Sequence, residues 1–262
     1  MKRKYFFFDI DGTITIRETG VPVPSAVETI HRLEKAGHFV AIATGRAQYK
    51  ARPFMESVGM SNMVCNGGGG LVVNGVCVDN KPLDLELSKA VARQAESLGY
   101  GILFAIDDSV NVYAKDDLFI RQCGKRQEPT EYHFDPAFDF EKLPEIYKMY
   151  ISIPIEKESN LTLRDTLGHL RFVKEYLMFQ HDDKREGILR MMKYLHGDPK
   201  DVVVFGDDTN DMVMFDPMWT SVAMGNGHPD LKKMATYVTA KNSEDGILKA
   251  AEHFGWFEKV DE

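Results

Sequence analysis

The sequence predicts an α/β protein: a parallel sheet covered by helices on both faces, interrupted by an α+β insert. Two observations carry this. At both ends of the chain short apolar runs alternate with helical patterns in β-α-β order, and parallel strands require such crossovers. In the middle the alternation gives way to closely spaced strand patterns joined by turns, the signature of antiparallel pairing. The expected division is a doubly wound core from residues 1–80 and 181–262, with residues 81–180 inserted.

The elements follow in order. Residues 4–8 are an aromatic-rich run that stops at Asp9, as a strand buried on both faces does. Pro24-Ser25 opens a helical pattern carrying Val27, Ile30, Leu33 and Ala36, and Gly37 ends it. Residues 39–43 form a second buried strand ending at Thr44-Gly45-Arg46, with a helix after it and a short strand at 63–65. Residues 67–78 read as a glycine run and a hairpin turning at Asn74-Gly75, and Lys81-Pro82 as an exit linker. The insert then offers a helix at 83–98, strands at 101–105 and 110–114 paired across Asp107-Asp108-Ser109, and a polar, proline-marked loop at 127–144. A strand at 147–153, a helix at 161–168 and a strand at 172–180 complete it. The first pattern returns with a helix at 185–195 and a buried strand at 201–205 ending at Gly206-Asp207. A helix at 208–215, a strand at 221–224, a helix at 231–235, a strand at 237–238 and a closing helix at 243–253 follow. The chain has no internal repeat and no low-complexity segment.

Composition narrows the function classes. The 262 residues are 44% hydrophobic and 27% charged, values that suit a globular protein with a sizeable core. A net charge of −8 disfavours nucleic acid and anionic membranes, and the only basic run is Lys2-Arg3-Lys4. The apolar run behind it mimics a signal peptide but is cut short by Asp9 and Asp11, and no stretch reaches the ~20 apolar residues of a membrane span. Cys65, Cys77 and Cys123 make neither a disulfide framework nor a zinc motif, which points to a reduced, cytoplasmic compartment.

The chemistry-bearing residues stand at strand ends. Asp9 and Asp11 follow the first strand, Thr44 the second, and Asp207 a late one, with Asp211 four residues on. In parallel sheets the carboxyl ends of the strands line the ligand crevice. Any one such aspartate alone reads as a turn residue; three apolar strands ending in acidic or hydroxyl residues read as a site. Clustered carboxylates resist ionisation together, and a bound dication relieves that. Oxygen ligands without a nearby histidine pair favour Mg2+ over zinc.

These residues carry a family resemblance. Phe6-Phe7-Phe8-Asp9-Ile10-Asp11-Gly12-Thr13 resembles the first motif of the haloacid dehalogenase (HAD) superfamily, Ala43-Thr44-Gly45-Arg46 the second, Lys184 the third, and Phe205-Gly206-Asp207-Asp208-Thr209-Asn210-Asp211-Met212 the fourth. Ala223-Met224-Gly225-Asn226 and Glu244-Asp245-Gly246 resemble its Cof-type (type IIB) branch. The resemblance implies a Rossmann-like core with an inserted C2B cap that closes over small substrates and excludes water. It implies a Mg2+-dependent phosphatase acting on small phosphate monoesters such as sugar phosphates, pyridoxal phosphate or a flavin nucleotide. Asp9 would be the nucleophile that forms an aspartyl-phosphate, and Asp11 the general acid and then base. Asp9, the Asp11 backbone carbonyl and Asp207 would hold the metal, with Asp211 orienting that shell. Thr44, Gly45 and Asn210 would bind phosphate oxygens, and Lys184 would neutralise charge on the phosphate and on Asp9. The partner implied is a small phosphorylated metabolite, not nucleic acid or membrane, for a monomer or weak homodimer.

Other residues have weaker claims. Lys184 at a helix start opposes the helix dipole, so an anionic partner would explain its place. Arg46 reads either as a phosphate ligand or as the partner of a carboxylate. Gly67–Gly70 reads mostly as a flexible turn, His181 as structural, and Asp107, Asp108, Arg121, Lys125 and Arg126 as solvated surface more than substrate contacts. Two positions depart from the family pattern: Arg185 follows the motif lysine and Asp208 the motif aspartate, each where glycine is frequent. Three alternatives stay open: a phosphosugar mutase of the same superfamily, a signalling module that accepts phosphate on Asp9 without turnover, and a silent phospho-ligand binder.

Overall fold

The computed structural model describes residues 2–257. It forms two compact units: the chain up to Asp79 together with the chain from Asp183 onward, and Asn80–Asp182. The first stretch contains β1 (Tyr5–Phe8), α1 (Pro24–Lys35), β2 (Phe39–Ala43), α2 (Gln48–Ser57), β3 (Met63–Cys65), β4 (Gly70–Val73) and β5 (Val76–Asn80). The insert contains α3 (Leu85–Ser97), β6 (Ile102–Ala105), β7 (Asn111–Ala114), α4 (Leu118–Cys123), β8 (Glu131–Phe134), β9 (Lys148–Ile151), β10 (His169–Leu170) and β11 (Leu177–Phe179). The last stretch contains α5 (Lys184–Tyr194), β12 (Val202–Gly206), β13 (Thr220–Ala223), α6 (Pro229–Met234), β14 (Tyr237–Val238) and α7 (Gly246–Phe254).

The core sheet runs β14-β13-β12-β1-β2-β3-β4-β5. It is parallel from β14 to β3, and β4 adds antiparallel to β3. Alternation along β1 explains the two helical layers. Phe6 and Phe8 face a cluster with Ile30 and Leu33 of α1 and Ile247 and Ala250 of α7. Tyr5 and Phe7 face the opposite cluster, with Ile188 and Met191 of α5. A strand apolar on both faces is what a doubly covered parallel sheet requires. From β1 the chain builds outward through β2 and β3 on one side and later through β12, β13 and β14 on the other, so strand order reverses between β1 and β12. Ligand crevices open at such reversals. Phe8 pairs with Phe205 in register, and the Asp9 N–H donates to the Phe205 carbonyl at 3.0 Å, which sets the two strand ends side by side.

His38 ties the start of this sheet to the C-terminal segment. The Lys4 N–H donates to Nδ1 (3.0 Å), so the ring proton sits on Nε2 and is donated to the Trp256 carbonyl (2.7 Å). Both nitrogens are engaged by the neutral ring, and burial holds its pKa below the ordinary 6.5 despite the bond to Trp256. The unfolded chain therefore binds this proton at a higher pH than the folded chain. The stabilisation is complete above pH 6.5 and is lost as pH falls through the lower folded value. His38→Gln should cost about 1–2 kcal/mol at neutral pH, the worth of a buried hydrogen-bonded group, and should flatten the loss of stability on the acid side. Thermal melts on either side of pH 6.5 check this, and an unchanged acid slope in the variant would refute it.

The insert is a six-stranded sheet, β10-β11-β9-β6-β7-β8, antiparallel except for the β7–β8 pair. Val91, Ala92 and Ala95 of α3 cover one face over Phe104, Met149 and Ile151, and Phe119 of α4 packs on the other with Leu103, Tyr150 and Met178. Several expectations need correction. The loop expected at 127–144 contains β8, an edge strand whose side chains are mostly exposed and therefore leave little hydrophobic pattern. The helix expected at 161–168 is a single 3₁₀ turn, Arg164–Thr166. Leu161, Leu163 and Leu167 pack on the α3 cluster at a spacing that no single helical face provides. Arg126 is not solvated surface: its guanidinium is buried 3.8 Å from the Tyr150 ring centroid and paired with Glu128. His181, by contrast, fits its structural reading: from one linker of the insert its Nε2 lies 3.1 Å from the carbonyls of Lys81 and Pro82 in the other. In the core, the helix expected at 208–215 is a 3₁₀ segment, Thr209–Met214. Cys65, Cys77 and Cys123 form no disulfide, and no helix among the described residues is long and apolar enough to cross a membrane.

Candidate active site

Asp9 leaves β1 directly into a buried cluster. Its carboxylate, with those of Asp207 and Asp211, offers oxygens that all lie within 4.8 Å of one another. Lys184, only 1% exposed as the first residue of α5, joins two of them: Nζ donates to Asp9 Oδ1 at 2.7 Å and to Asp211 Oδ1 at 2.6 Å. Burial alone would pull this ammonium's pKa down, but Asp211 and Asp9 outweigh it and hold the pKa above its ordinary value. Asp9 moves the other way. Desolvation, helped by the nearby Asp211 carboxylate, raises it to about 7 against the pull of Lys184. Asp211 is fully committed: its Oδ2 accepts the N–H groups of Asp207 and Asp208 at 3.0 and 3.1 Å, which caps the 3₁₀ segment.

Asp207 is the strand-end carboxylate of β12. Thr13 Oγ1 donates to its Oδ1 at 3.3 Å, and Arg17 Nη2 donates to its Oδ2 at 2.7 Å. Gly12 is fixed by sterics here: its φ is +90°, and a Cβ would stand 2.1 Å from Asp207 Oδ2. The carbonyl of Gly12 accepts from Asn226 Nδ2 at 2.8 Å, and Asn242 Nδ2 donates to the Thr15 carbonyl at 2.7 Å. These two asparagines brace the loop that carries Asp9 and Asp11. In the sequence Asn226 stands within the Cof-like Ala223-Met224-Gly225-Asn226 motif without a role, and nothing marks Asn242.

Asp11 lies apart from the buried cluster, with its side chain 41% exposed. Arg46 Nη2 contacts both of its carboxylate oxygens, at 2.5 and 2.7 Å. Of the two readings left open for Arg46, the structure contains the carboxylate partner. Thr44 is buried at the end of β2, and its Oγ1 accepts from the Arg46 N–H at 3.1 Å. Gly45 is half-buried beside it, and Asn210 is exposed on the 3₁₀ segment. The glycine run is not a flexible turn. Gly67–Gly70 is buried, the Gly67 carbonyl accepts from the Asp183 N–H at 2.8 Å, and a Cβ on Gly68 would meet the Asp183 carbonyl at 2.0 Å. Arg190 donates to the Gly68 carbonyl at 2.8 Å. What approaches this backbone is the residue before Lys184, so the loop serves to seat Lys184.

The donor set fits a divalent cation. Asp9, Asp11, Asp207, Asp208 and Asp211 share Lys184, Arg17 and Arg46, which leaves two formal negative charges. All the donors are hard oxygens, the chemistry of magnesium sites. Desolvation that raises Asp9 also makes a cation beside it favourable.

Comparison with known proteins gives a consistent picture. The family model of haloacid dehalogenase-like hydrolases matches residues 6–250. YkrA of Bacillus subtilis (strain 168) is 29% identical over 259 residues, 97% of this chain and 99% of that protein. A phosphoglycolate phosphatase of Nitrosopumilus maritimus (strain SCM1) is 27% identical over 251 residues, 95% of each. Among solved structures, a sugar phosphatase of HAD subclass IIB, BT4131, superposes with a TM-score of 0.70 at 26% identity, over 97% of this chain and 100% of that one.

Proposed function

The chain belongs to the haloacid dehalogenase-like hydrolase family and is a phosphatase, and from that premise we propose that it hydrolyses small phosphate monoesters with Mg2+ through an aspartyl-phosphate on Asp9. The observation that carries this reading is the buried cluster at the strand reversal, where Lys184 bridges Asp9 and Asp211 beside Asp207. In this reading Lys184 holds Asp9 by Oδ1, and the other oxygen attacks phosphorus in line with the ester oxygen. The P–O ester bond breaks as Asp11 gives its proton to the leaving oxygen. Asp11 then takes a proton from water, and the hydroxide displaces phosphate from Asp9. Thr44, Gly45 and Asn210 bind the phosphate oxygens. Asp9, Asp207 and the Asp11 carbonyl would hold the ion, which when bound offsets the repulsion between carboxylate and phosphate. Asp211, spent on Lys184 and two backbone N–H groups, orients Asp207 and Lys184 and is no ligand itself.

Arg46 adds a condition to this scheme. Arg46 Nη2 occupies both oxygens of Asp11, so the leaving oxygen cannot reach that carboxyl while the pair is closed. Asp11 acts as the acid only after Arg46 lets go, and the arriving phosphate is the natural alternative partner for Arg46. The insert, Asn80–Asp182, is proposed as the cap that selects substrate. Phosphoglycolate, sugar phosphates, pyridoxal phosphate and a flavin nucleotide are the esters to screen, for a cytoplasmic enzyme acting as a monomer or weak homodimer. The test is release of p-nitrophenol from its phosphate ester with Mg2+ or with EDTA, and of orthophosphate from hexose phosphates. Release should require Mg2+, and Asp11→Asn should slow it by ~10²–10⁴-fold, the range for a lost general acid. A positional isomer of the sugar phosphate in place of orthophosphate would refute hydrolysis in favour of a mutase.

A further inference from the structure

Arg17 has no part in the scheme above, yet it contacts the site directly. It lies in the turn that closes between Ile16 and Val21, eight residues after Asp9. Its guanidinium is forked: Nη2 is 2.7 Å from Asp207 Oδ2, and Nη1 is 2.9 Å from Asp208 Oδ2. The two carboxylates differ in freedom. The Asp207 side chain is 3% exposed and is held by Thr13 and by the close backbone of Gly12, so it cannot turn aside. The Asp208 side chain is 38% exposed and that of Arg17 47%, so this half of the fork can move with the solvent.

A guanidinium and a dication on the same carboxylate repel each other. An ion that binds Asp207 must dislodge Nη2 of Arg17 or bind against its charge. Lys184 also sits on a proposed ligand, Asp9, but Asp211, which is no ligand, shares its charge. We propose that Arg17 is a built-in competitor for the metal: it neutralises Asp207 when no ion is bound, withdraws onto Asp208 when one arrives, and so sets the metal affinity of the site. The proposal rests on the reading of Asp207 as a metal ligand. It also accounts for Asp208, the acidic residue that stands where the family pattern favours glycine: Asp208 is the second berth for Arg17.

The test is calorimetric titration of Mg2+ into chelator-treated protein, for wild type, Arg17→Gln, Arg17→Lys and Asp207→Asn, with thermal melts of each in chelator and in saturating Mg2+. Arg17→Gln should bind Mg2+ about three- to ten-fold tighter, the effect of removing one partly solvated like charge next to the ion. Arg17→Lys keeps the charge and should stay nearer wild type. In chelator Arg17→Gln should melt below wild type, because Asp207 has lost its partner, and saturating Mg2+ should close that gap. Equal or weaker Mg2+ affinity in Arg17→Gln, with binding abolished in Asp207→Asn, would overturn the competitor role alone. Mg2+ binding that survives Asp207→Asn would overturn the metal-ligand reading and the proposal with it.

Discussion

Asp9→Asn is expected to leave no phosphatase turnover above background while the protein stays folded. The substitution keeps the shape of the side chain and removes the carboxylate proposed as nucleophile, so no aspartyl-phosphate could form. Nothing else in the cluster can take over: Asp211 is held at both oxygens by Lys184 and backbone N–H groups, and Asp207 is pinned against Gly12 and Thr13. Stability should move differently from activity. Asp9 is raised from 3.8 to about 7 on folding, so the folded protein binds this proton more tightly than the unfolded chain does. Its ionisation therefore erodes stability as pH rises through that window, and above it the charge weighs fully against folding. Removing the charge should leave the variant at least as stable as wild type in chelator above pH 7, the pattern of a site that trades stability for function. Retained turnover in a clean preparation would sink the mechanism. A variant that melted well below wild type would instead mean that the Lys184–Asp9 pair stabilises the fold more than burial of Asp9 destabilises it.

Much of the core and its site could be read from the chain, because burial on both faces leaves an unambiguous pattern. The run Tyr5–Phe8 and the run Val202–Gly206 are apolar enough to stand out, and each is followed by an aspartate of the buried cluster. The insert was harder for the same reason in reverse. β8 lies at a sheet edge with Tyr132 half-buried and its neighbours exposed, and α4 is a six-residue helix anchored by Phe119. Local hydrogen bonds also overrode periodicity. The segment after Asp208 has the apolar spacing of a helix, but the Asp211 side chain turns back on the N–H groups of residues 207 and 208 and tightens it to 3₁₀ geometry. Arg17 and Arg46 illustrate a further limit. Each is an exposed-looking arginine in a turn, and only the folded chain brings Asp207 to one and Asp11 to the other. The glycine run gave the opposite error. Its composition signals flexibility, whereas its function is to let the backbone of Asp183 pass within contact distance.

Lys184→Met should be the single change most damaging to the fold, and it should cost activity too. The methionine fills the channel of the lysine stem but strands two buried carboxylates, Asp9 and Asp211, without their shared cation. Breaking a buried ion pair from one side costs about 3–5 kcal/mol, and for a domain of this size that lowers the melting temperature by roughly 6–20 °C. Turnover should fall with it, since in the proposed mechanism the ammonium orients Asp9 and faces the phosphate charge. The two effects can be separated through coupling. If the damage comes from stranded charge, Asp9→Asn removes one of the two carboxylates and should add more stability to Lys184→Met than it adds to wild type. Asp211 cannot be relieved in the same way, because its other oxygen holds the N–H groups of Asp207 and Asp208 and with them the placement of the metal-side carboxylate. A calorimetric cycle over wild type, the two single variants and the double variant decides the matter. Strict additivity would mean that Lys184 acts on Asp9 only as filling, and the electrostatic account of the cluster would have to be abandoned. Recovery beyond additivity in the double variant, still without turnover, would place the lysine where the geometry has it: one charge shared between Asp9 and Asp211.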